Sequence, residues 1–334
     1  IMDQIIERLT QGIIQYNPKQ TDIPARSGFN YQDPFPGLVE WMPLHQLGNK
    51  VVNKLVGYHP ENPKHFDIPT ILSTIAAYDT TTGHLLGLMD GVLPTALRTG
   101  AASAIATRAL AHPQAKILGL IGCGAQALTQ LHALSRVFDL QRVMIYDIDA
   151  PTQQTFPDRA ALLSLPLSFE PSNIEDIIQS ADIVCTATSI DVGAGPLFSH
   201  LGSKDHLHIN AVGSDFPGKV ELPLDFLTQS YVVPDFRAQA VVEGECQQLE
   251  AGQIGDDWTK ILKDPSKYEF VKAQRTVFDS TGWALEDQLC FDLFFEYAEE
   301  LGLGNWLEIE MMPEDAKNPY EFINQTSLKF NQNY

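Results

Sequence analysis

A short run of small residues after an apolar segment is the motif with the clearest chemistry. Residues 117–121 are apolar and lead into G-C-G-A-Q-A at 122–127, the G-x-G-x-x-A form of a dinucleotide-binding turn. Gly122 permits a tight turn, Gly124 lets the backbone approach a pyrophosphate, and Ala127 lets the next helix pack on its strand. The free N–H groups at the start of that helix would hold the phosphates. The motif therefore predicts a nucleotide-binding site.

An acid follows the next apolar segment, where a ribose-binding residue is expected. Residues 143–146 predict a second strand, and Asp147 follows it at about the 20-residue distance from the glycines that such acids keep. A carboxylate there accepts hydrogen bonds from both ribose hydroxyls and repels a 2′-phosphate, so NAD(H) is favoured over NADP(H). Asp149 is the competing acid, and we interpret it as a solvated loop residue.

Three cations in the first hundred residues could bind a carboxylate. Arg98 opens a helix that is otherwise small and apolar, where its guanidinium could grip a carboxylate or form an ion pair between domains. Lys54 lies mid-strand between apolar neighbours, where burial would lower its pKa and favour proton transfer; the alternative is an exposed edge lysine. Arg26 lies in a Pro/Gly-rich segment and could equally be a solvated loop cation.

Two carboxylates are the candidate acids. Asp215 follows a predicted strand end, where ligands bind in α/β folds, although D-F-P-G is also an ordinary turn. Glu40 could be an active-site acid or a plain exposed carboxylate. Lys219 and Glu221 belong to the same motif as Asp215, and we expect them to form structural ion pairs.

Five further motifs share the order in which they occur with one known family. They are P-A-R at 24–26, N-K-L-V at 53–56, T-A-L-R-T-G-A-A-S at 95–103, G-S-D-F-P-G-K-V-E-L at 213–222 and S-T-G-W-A-L-E-D at 280–287. Together with the turn at 122–127, they closely resemble the ornithine cyclodeaminase/μ-crystallin family over nearly the whole chain.

The resemblance implies hydride transfer at the Cα of an amino acid or imine, with NAD(P) as the cofactor. Members include ornithine and lysine cyclodeaminases, alanine dehydrogenases, cyclic ketimine reductases and synthases that join two amino acids. It also implies a homodimer that pairs through the N-terminal sheet. The family's carboxylate-binding cations correspond to Arg26, Lys54 and Arg98, its catalytic acid to Asp215, and a further acid to Glu40.

We therefore predict an NAD-dependent cyclodeaminase or ketimine reductase, with Asp215 and Lys54 as catalytic residues. An alanine dehydrogenase, a synthase and a non-catalytic NAD(P)H-binding protein like μ-crystallin are the alternatives. Segment 58–67 departs from the shorter loop usual in the family, so a changed substrate is open. The residues expected at the cofactor are Thr99, Gly122, Gly124, Ala125, Gln126, Asp147, Thr186, Ala187, Thr188, Val212, Gly213 and Ser280.

The periodicity of the chain predicts the elements that position these residues. We expect helices at 2–16, 90–110, 173–180 and 283–301. Strands at 51–56, 70–78 and 84–89 would form an antiparallel sheet, whereas the Pro/Gly-rich residues 17–49 predict only short extended pieces. The alternation of helices and strands after residue 116 predicts a doubly wound parallel sheet. Its strands are expected at 117–121, 143–146, 165–169, 181–188, 206–212, 231–235 and 276–279.

These elements predict an α/β protein of two domains. We assign an NAD(H)-binding Rossmann domain to 113–282. An α+β domain with a mixed or antiparallel sheet, for substrate binding and dimerisation, is assigned to 1–112 plus 283–334. The tail after residue 313 is expected to be loosely structured.

Composition narrows the classes of partner. A net charge of −20, from 42 acidic and 22 basic residues, disfavours binding to nucleic acid or an anionic membrane surface. The four cysteines are scattered without metal-like spacing, and no third ligand is spaced near His206 and His208, so no metal is expected. We find no apolar run that could span a bilayer and no signal-peptide pattern, which predicts a cytoplasmic protein.

Overall fold

A computed structural model describes residues 1–199, 202–310 and 312–321. The helices are α1 (Met2–Gln15), α2 (Asn62–His65), α3 (Val92–Leu110), α4 (Ala125–Ser135), α5 (Ala150–Ala160), α6 (Ile174–Ser180), α7 (Leu224–Leu227), α8 (Arg237–Ala240), α9 (Trp258–Lys263) and α10 (Ala284–Leu301). The strands are β1 (Thr21–Asp22), β2 (Ser27–Tyr31), β3 (Gly37–Gln46), β4 (Lys50–Tyr58), β5 (Ile71–Asp79), β6 (Leu85–Asp90), β7 (Ile117–Ile121), β8 (Arg142–Tyr146), β9 (Ser168–Pro171), β10 (Ile183–Thr186), β11 (His208–Ala211), β12 (Tyr231–Pro234) and β13 (Thr276–Asp279).

The first six strands form one antiparallel sheet. Its order is β1-β3-β4-β5-β6, with β2 also paired to β3, and every pairing is antiparallel. One face is buried, with Val52, Lys54 and Ile75 pointing inward, and it lies against α3 and α10. Alternate residues such as Leu55 and Leu72 are exposed on the opposite face. The expected antiparallel sheet is confirmed, and none of the described pairings makes it mixed.

The prediction of only short extended pieces in residues 17–49 is wrong. This segment contains the ten-residue strand β3, which pairs with β4 along its whole length except for its first residue. On its other side, β2 covers residues 37–41 and β1 covers residues 45–46, so that side is open around Pro43. A strand tolerates proline where no ladder hydrogen bond is needed. The proline content therefore concealed a central strand.

The remaining seven strands form the expected parallel sheet. Its order is β12-β13-β11-β10-β7-β8-β9, and all pairings are parallel. The sequence order reverses between β7 and β10, which makes the crevice at their carboxyl ends the switch point where such sheets bind ligands. The third strand lies at Ser168–Pro171 rather than 165–169. Leu165 and Leu167 pack on the core from the preceding loop, which explains why their apolar spacing was interpreted as a strand.

Helix α3 connects the two sheets and is buried on all its faces over most of its length. Its alanines and Gly100 allow close packing, since a Cβ placed on Gly100 would lie 2.4 Å from the carbonyl oxygen of Thr129 in α4. It also contacts α1 and α10. The helix therefore holds Arg98 at the junction of the two sheets.

The chain beyond α10 was expected to be loosely structured from residue 313. Residues 312–321 form bends and turns up to Tyr320, and the rest of the predicted tail, 322–334, lies outside the described residues. No helix in the described ranges is both long and apolar enough to cross a membrane.

Candidate active site

A cavity of about 250 Å³ lies between the two sheets. The antiparallel sheet and α3 supply part of its wall, and the loops after β10, β11 and β13 supply the rest. The five residues selected from the sequence as substrate-binding or catalytic all line it: Arg26, Glu40, Lys54, Arg98 and Asp215. Residues from distant parts of the chain therefore face one cavity.

Lys54 and Arg98 meet at a shared carboxylate. Lys54 Nζ lies 2.7 Å from Oδ2 of Asp287, and Arg98 Nε donates to Oδ1 of the same residue at 3.0 Å. Arg98 Nη1 also donates to Glu286 at 2.9 Å. Lys54 is 1% exposed and Arg98 is 5% exposed, so neither is a surface cation. The interpretation of Lys54 as an exposed edge lysine is therefore wrong. The ion pairs of Arg98 join α3 to α10, and both helices lie in segments assigned to one domain, so they are not the ion pair between domains that was the alternative for Arg98.

Arg26 is held by a second pair of acids. Its Nη2 lies 2.9 Å from Glu243, its Nη1 lies 3.8 Å from Glu40, and Nη2 also donates to the carbonyl oxygen of Thr281. The side chains of Arg26 and Glu40 are 13% and 15% exposed. The alternatives of a solvated loop cation and a plain exposed carboxylate are therefore wrong.

Asp215 is the most open of the five selected residues at the cavity. Its carboxylate accepts from Lys219 Nζ at 2.8 Å, and its side chain is 40% exposed. Lys219 also lies over the ring of Tyr58, 5.0 Å from the ring centre. The ion pair expected for Lys219 is present, and it leaves Asp215 room to contact a ligand.

Burial shifts the proton affinities of the cavity's ionisable groups. Burial lowers the pKa of Lys54 to about 8, although Asp287 acts in the opposite direction. Burial raises the pKa of Glu243 and of Glu286 to about 8 in each case, against the effect of the neighbouring arginines. The pKa of Asp287 is lowered, because Arg98 and Lys54 together outweigh its burial. An amine that titrates near 8 suits proton transfer close to neutral pH.

The glycine turn has the open backbone that a dinucleotide needs. Gly122 has φ +92°, and a Cβ on it would lie 2.5 Å from the carbonyl oxygen of Ala187 after β10. A Cβ on Gly124 would meet nothing within 4 Å. Gly124 precedes α4, whose first residues are Ala125 and Gln126 and which has no side-chain cap. These features fit a pyrophosphate bound at the helix start.

Asp147 lies beside this turn at the end of β8. Its Oδ2 accepts from the Cys123 N–H at 2.7 Å, and its Oδ1 accepts from the Asp149 N–H at 2.9 Å. Asp149 is exposed just before α5, as expected of a solvated loop residue, and it also caps this helix by accepting from the Thr152 N–H at 3.0 Å. Of Asp147 and Asp149, Asp147 is therefore the acid that contacts the glycine turn.

Most of the other residues expected at the cofactor lie along the same sheet edge. Thr186 is the last residue of β10. The others follow the carboxyl ends of β10, β11 and β13: Ala187, Thr188, Val212, Gly213 and Ser280. Thr99 lies instead in α3, where its hydroxyl donates to the carbonyl oxygen of Thr95 at 2.9 Å. The parallel sheet thus collects the candidates from separate loops.

One buried acid ties two of these strand ends together. Glu221 Oε1 accepts from the N–H and hydroxyl of Thr188 at 2.9 and 2.7 Å. Its Oε2 accepts from the Gly213 N–H at 2.9 Å and the Thr186 hydroxyl at 2.5 Å. The ion pair expected for Glu221 is wrong, since these four donors in the described chain are neutral. Burial raises its pKa despite them.

The acids that hold the cations were not among the residues predicted from the sequence. Glu286 and Asp287 belong to the S-T-G-W-A-L-E-D motif, and Glu243 lies in an irregular segment. Three buried cations require nearby anions, and two adjacent acids at the start of an apolar helix were a signal that could have identified two of them. Within the described residues, His, Cys, Asp and Glu side chains form no group that could hold a metal ion.

Comparisons with known proteins agree with this architecture. Residues 1–301 match the ornithine cyclodeaminase/mu-crystallin family. The chain is 40% identical over 321 residues to an L-lysine cyclodeaminase of Streptomyces rapamycinicus, which covers 96% of this chain and 93% of that protein.

Solved structures show the same relationship. A lysine cyclodeaminase, studied for its recognition of L-lysine, L-ornithine and L-2,4-diaminobutyric acid, is 47% identical, with a TM-score of 0.91 over 96% of this chain and 92% of that one. An archaeal alanine dehydrogenase dimer with bound NAD is 28% identical, with a TM-score of 0.83 over 93% of this chain and 95% of that one.

Proposed function

Because the chain belongs to the ornithine cyclodeaminase/mu-crystallin family, whose members here are NAD-dependent enzymes of amino acids and imines, we propose that it is a cyclodeaminase of a diamino acid. L-Lysine is the first candidate substrate, since both lysine cyclodeaminases named above are similar to nearly the whole chain. The observation that carries the proposal is the single cavity that three cations and Asp215 line.

Arg26 and Arg98 bind the α-carboxylate as cations, Lys54 in its neutral form donates a hydrogen bond to it, and together they orient the reacting carbon. Arg26, Lys54 and Arg98 converge on the cavity, and positioning of this kind supplies much of the rate in reactions whose redox chemistry belongs to a cofactor. The glycine turn would hold the pyrophosphate of NAD and Asp147 would hold its adenosine ribose. Bound there, the cofactor would supply reversible hydride transfer at the substrate Cα.

Proton transfers fall to two side chains. Neutral Lys54 accepts the proton that the α-ammonium must lose before Cα is oxidised. Asp215 binds the distal ammonium and accepts its proton, so that the free amine attacks the imine carbon and ammonia leaves. The balance is one diamino acid converted to one cyclic amino acid and one ammonia, with no net change in NAD.

A substrate panel with optical and product readouts tests this function. L-Lysine or L-ornithine with catalytic NAD is expected to release ammonia and the cyclic amino acid in equal amounts, without net NADH. Net NADH from L-alanine alone would instead indicate a dehydrogenase. NADH consumption with cyclic imines but no ammonia from diamino acids would indicate a reductase. Either of these last two results overturns the cyclodeaminase proposal.

The outer face of the antiparallel sheet supports a homodimer. It exposes large apolar side chains, and patches of this kind mark protein interfaces. They include Phe29, Leu55, Leu72, Leu86 and Leu88, which are between 42% and 69% exposed. We assign residues 1–112 and 283–334 to this substrate-binding and pairing domain, and residues 113–282 to the cofactor domain.

A further inference from the structure

One carboxylate lies between two of the cations that line the cavity. Asp287 Oδ2 is 2.7 Å from Lys54 Nζ, and its Oδ1 accepts from Arg98 Nε at 3.0 Å. The side chain of Asp287 is 2% exposed, as is that of Lys54. Asp287 therefore links β4 and α3 from a third element, α10.

The backbone that carries Asp287 is fixed against the same arginine. Glu286 and Asp287 lie in the first turn of α10, where the helix dipole favours carboxylates. Gly282, just before the helix, has φ +89°, and a Cβ on it would lie 2.9 Å from Nη2 of Arg98. The Arg98 guanidinium thus packs on the turn that precedes α10, and Glu286 and Asp287 of that helix accept its hydrogen bonds.

The charges around the Lys54 amine come from three directions. They are Asp287 on α10, Arg98 on α3 and Arg26 before β2. The neutral thiol of Cys290 on α10 is a further titratable group that interacts with this amine. Burial and the two arginines lower the pKa of Lys54, whereas Asp287 raises it. Of the groups that act on this amine, Asp287 is the anion in direct contact with it.

From this geometry we propose that Asp287 is a positioning residue that holds Lys54 and Arg98 side by side for the substrate carboxylate and tunes the Lys54 amine as a proton acceptor. The proposal rests on the proposed function, in which Lys54 must be neutral to accept a proton. It assigns to the first turn of α10 a role in setting the pH at which the enzyme works.

The test compares two aspartates of the same helix. Asp292 on α10 pairs with Lys50 on β4, as Asp287 pairs with Lys54, but Lys50 does not line the cavity whereas Lys54 does. Asp287→Asn and Asp292→Asn would be compared with the unchanged enzyme. The readouts are kcat/KM for L-lysine as a function of pH, KM at saturating NAD, and binding of NADH as a check of folding.

Asp287→Asn removes the anion that favours the protonated amine. The rising limb of the pH profile is expected to move to lower pH by about one unit or more, since an opposite charge in contact shifts a pKa by that amount. KM is expected to rise about tenfold or more because the two cations lose their common support. Asp292→Asn should leave both quantities unchanged. An unmoved limb in a folded Asp287→Asn enzyme overturns the proposal, as would an equal shift in both variants.

A second variant covers a failure of Asp287→Asn to fold. Asp287→Ala leaves space for a small carboxylate, and added formate is expected to lower KM and return the limb towards its original position. No response to formate, in an enzyme that binds NADH, contradicts the proposal. If the unchanged enzyme does not act on any diamino acid, the proposed function fails instead.

Discussion

Each cation of the cavity is paired with an acid. Arg26 contacts Glu243, and Arg98 shares Asp287 with Lys54. Removing one partner from a buried ion pair leaves an uncompensated charge, which is far more costly than the pair itself is stabilising. The site therefore keeps its cations in place before a substrate arrives, and a carboxylate meets a preformed cluster.

The first prediction concerns Lys54 as the proton acceptor. Burial brings its pKa to about 8, so kcat/KM should rise with pH through that value as the amine becomes neutral. Lys54→Arg keeps the positive charge but cannot release a proton, and kcat should fall by about 10²-fold or more with loss of this limb. Lys50→Arg, on the same strand, is the control. A Lys54→Arg enzyme that retains the limb would exclude this lysine as the base.

Asp147 gives a second prediction, measured as nucleotide affinity. Asp147→Ala should raise the Kd of NADH about tenfold while NADPH binding improves or stays the same, since the ribose loses an acceptor and a 2′-phosphate loses a repelling charge. Asp149→Ala should leave both affinities unchanged and lower stability by about 1 kcal/mol through the lost cap of α5. Equal effects of the two variants on NADH would remove Asp147 from the site.

Some of these residues were predictable from the sequence and others were not. Arg98 and Lys54 stand out because each is a charged residue among small or apolar neighbours in the sequence, where a buried charge has to have a partner. Glu243 does not stand out locally, because its partner Arg26 lies far away in sequence. Asp287 carried a local signal as one of two adjacent acids at a helix start, but its partner Lys54 is equally distant in sequence. Glu221 was misinterpreted for a related reason, since its donors are backbone groups of two strand ends that only the sheet brings together.

At the scale of elements, the loops after β10 and β11 are joined by Glu221. Both of its oxygens accept from backbone N–H groups, so a glutamine must turn its own NH₂ towards one of these donors. Glu221→Gln is therefore expected to raise the Kd of NADH about tenfold, because the loops after β10 and β11 are no longer held together at the cofactor side of the crevice. Glu170→Gln, half exposed on β9, should not change it. An unchanged Kd in Glu221→Gln would show that these loops do not bind the cofactor.

The parallel sheet was easier to predict than the antiparallel one. Its strands are short, buried and separated by helices, so each apolar segment is visible. Strand β3 was missed because Pro43 and its flanking prolines resemble loop sequence, while the open edge that permits Pro43 exists only after β1 and β2 pair. Helix and strand type followed from local pattern, whereas register required the assembled sheet.

At the scale of the whole molecule, the exposed apolar face of the antiparallel sheet should pair with a second copy. Leu88 is 60% exposed on this face, and its substitution tests the prediction. Leu88→Asp is expected to shift the protein from dimer to monomer in sedimentation velocity, because a carboxylate would be buried at the interface. Leu162→Asp, at a residue 87% exposed beyond α5, should remain dimeric. A dimer that survives Leu88→Asp would place the interface elsewhere.

The account depends on a substrate carboxylate meeting the three cations opposite the cofactor. A crystal structure with NADH and the cyclic product L-pipecolate tests this most directly. The account predicts that the product carboxylate lies within hydrogen-bond distance of Arg26, Lys54 and Arg98, with its Cα facing the nicotinamide ring. A product bound with its carboxylate away from these side chains, or a nicotinamide outside the cavity, would contradict it.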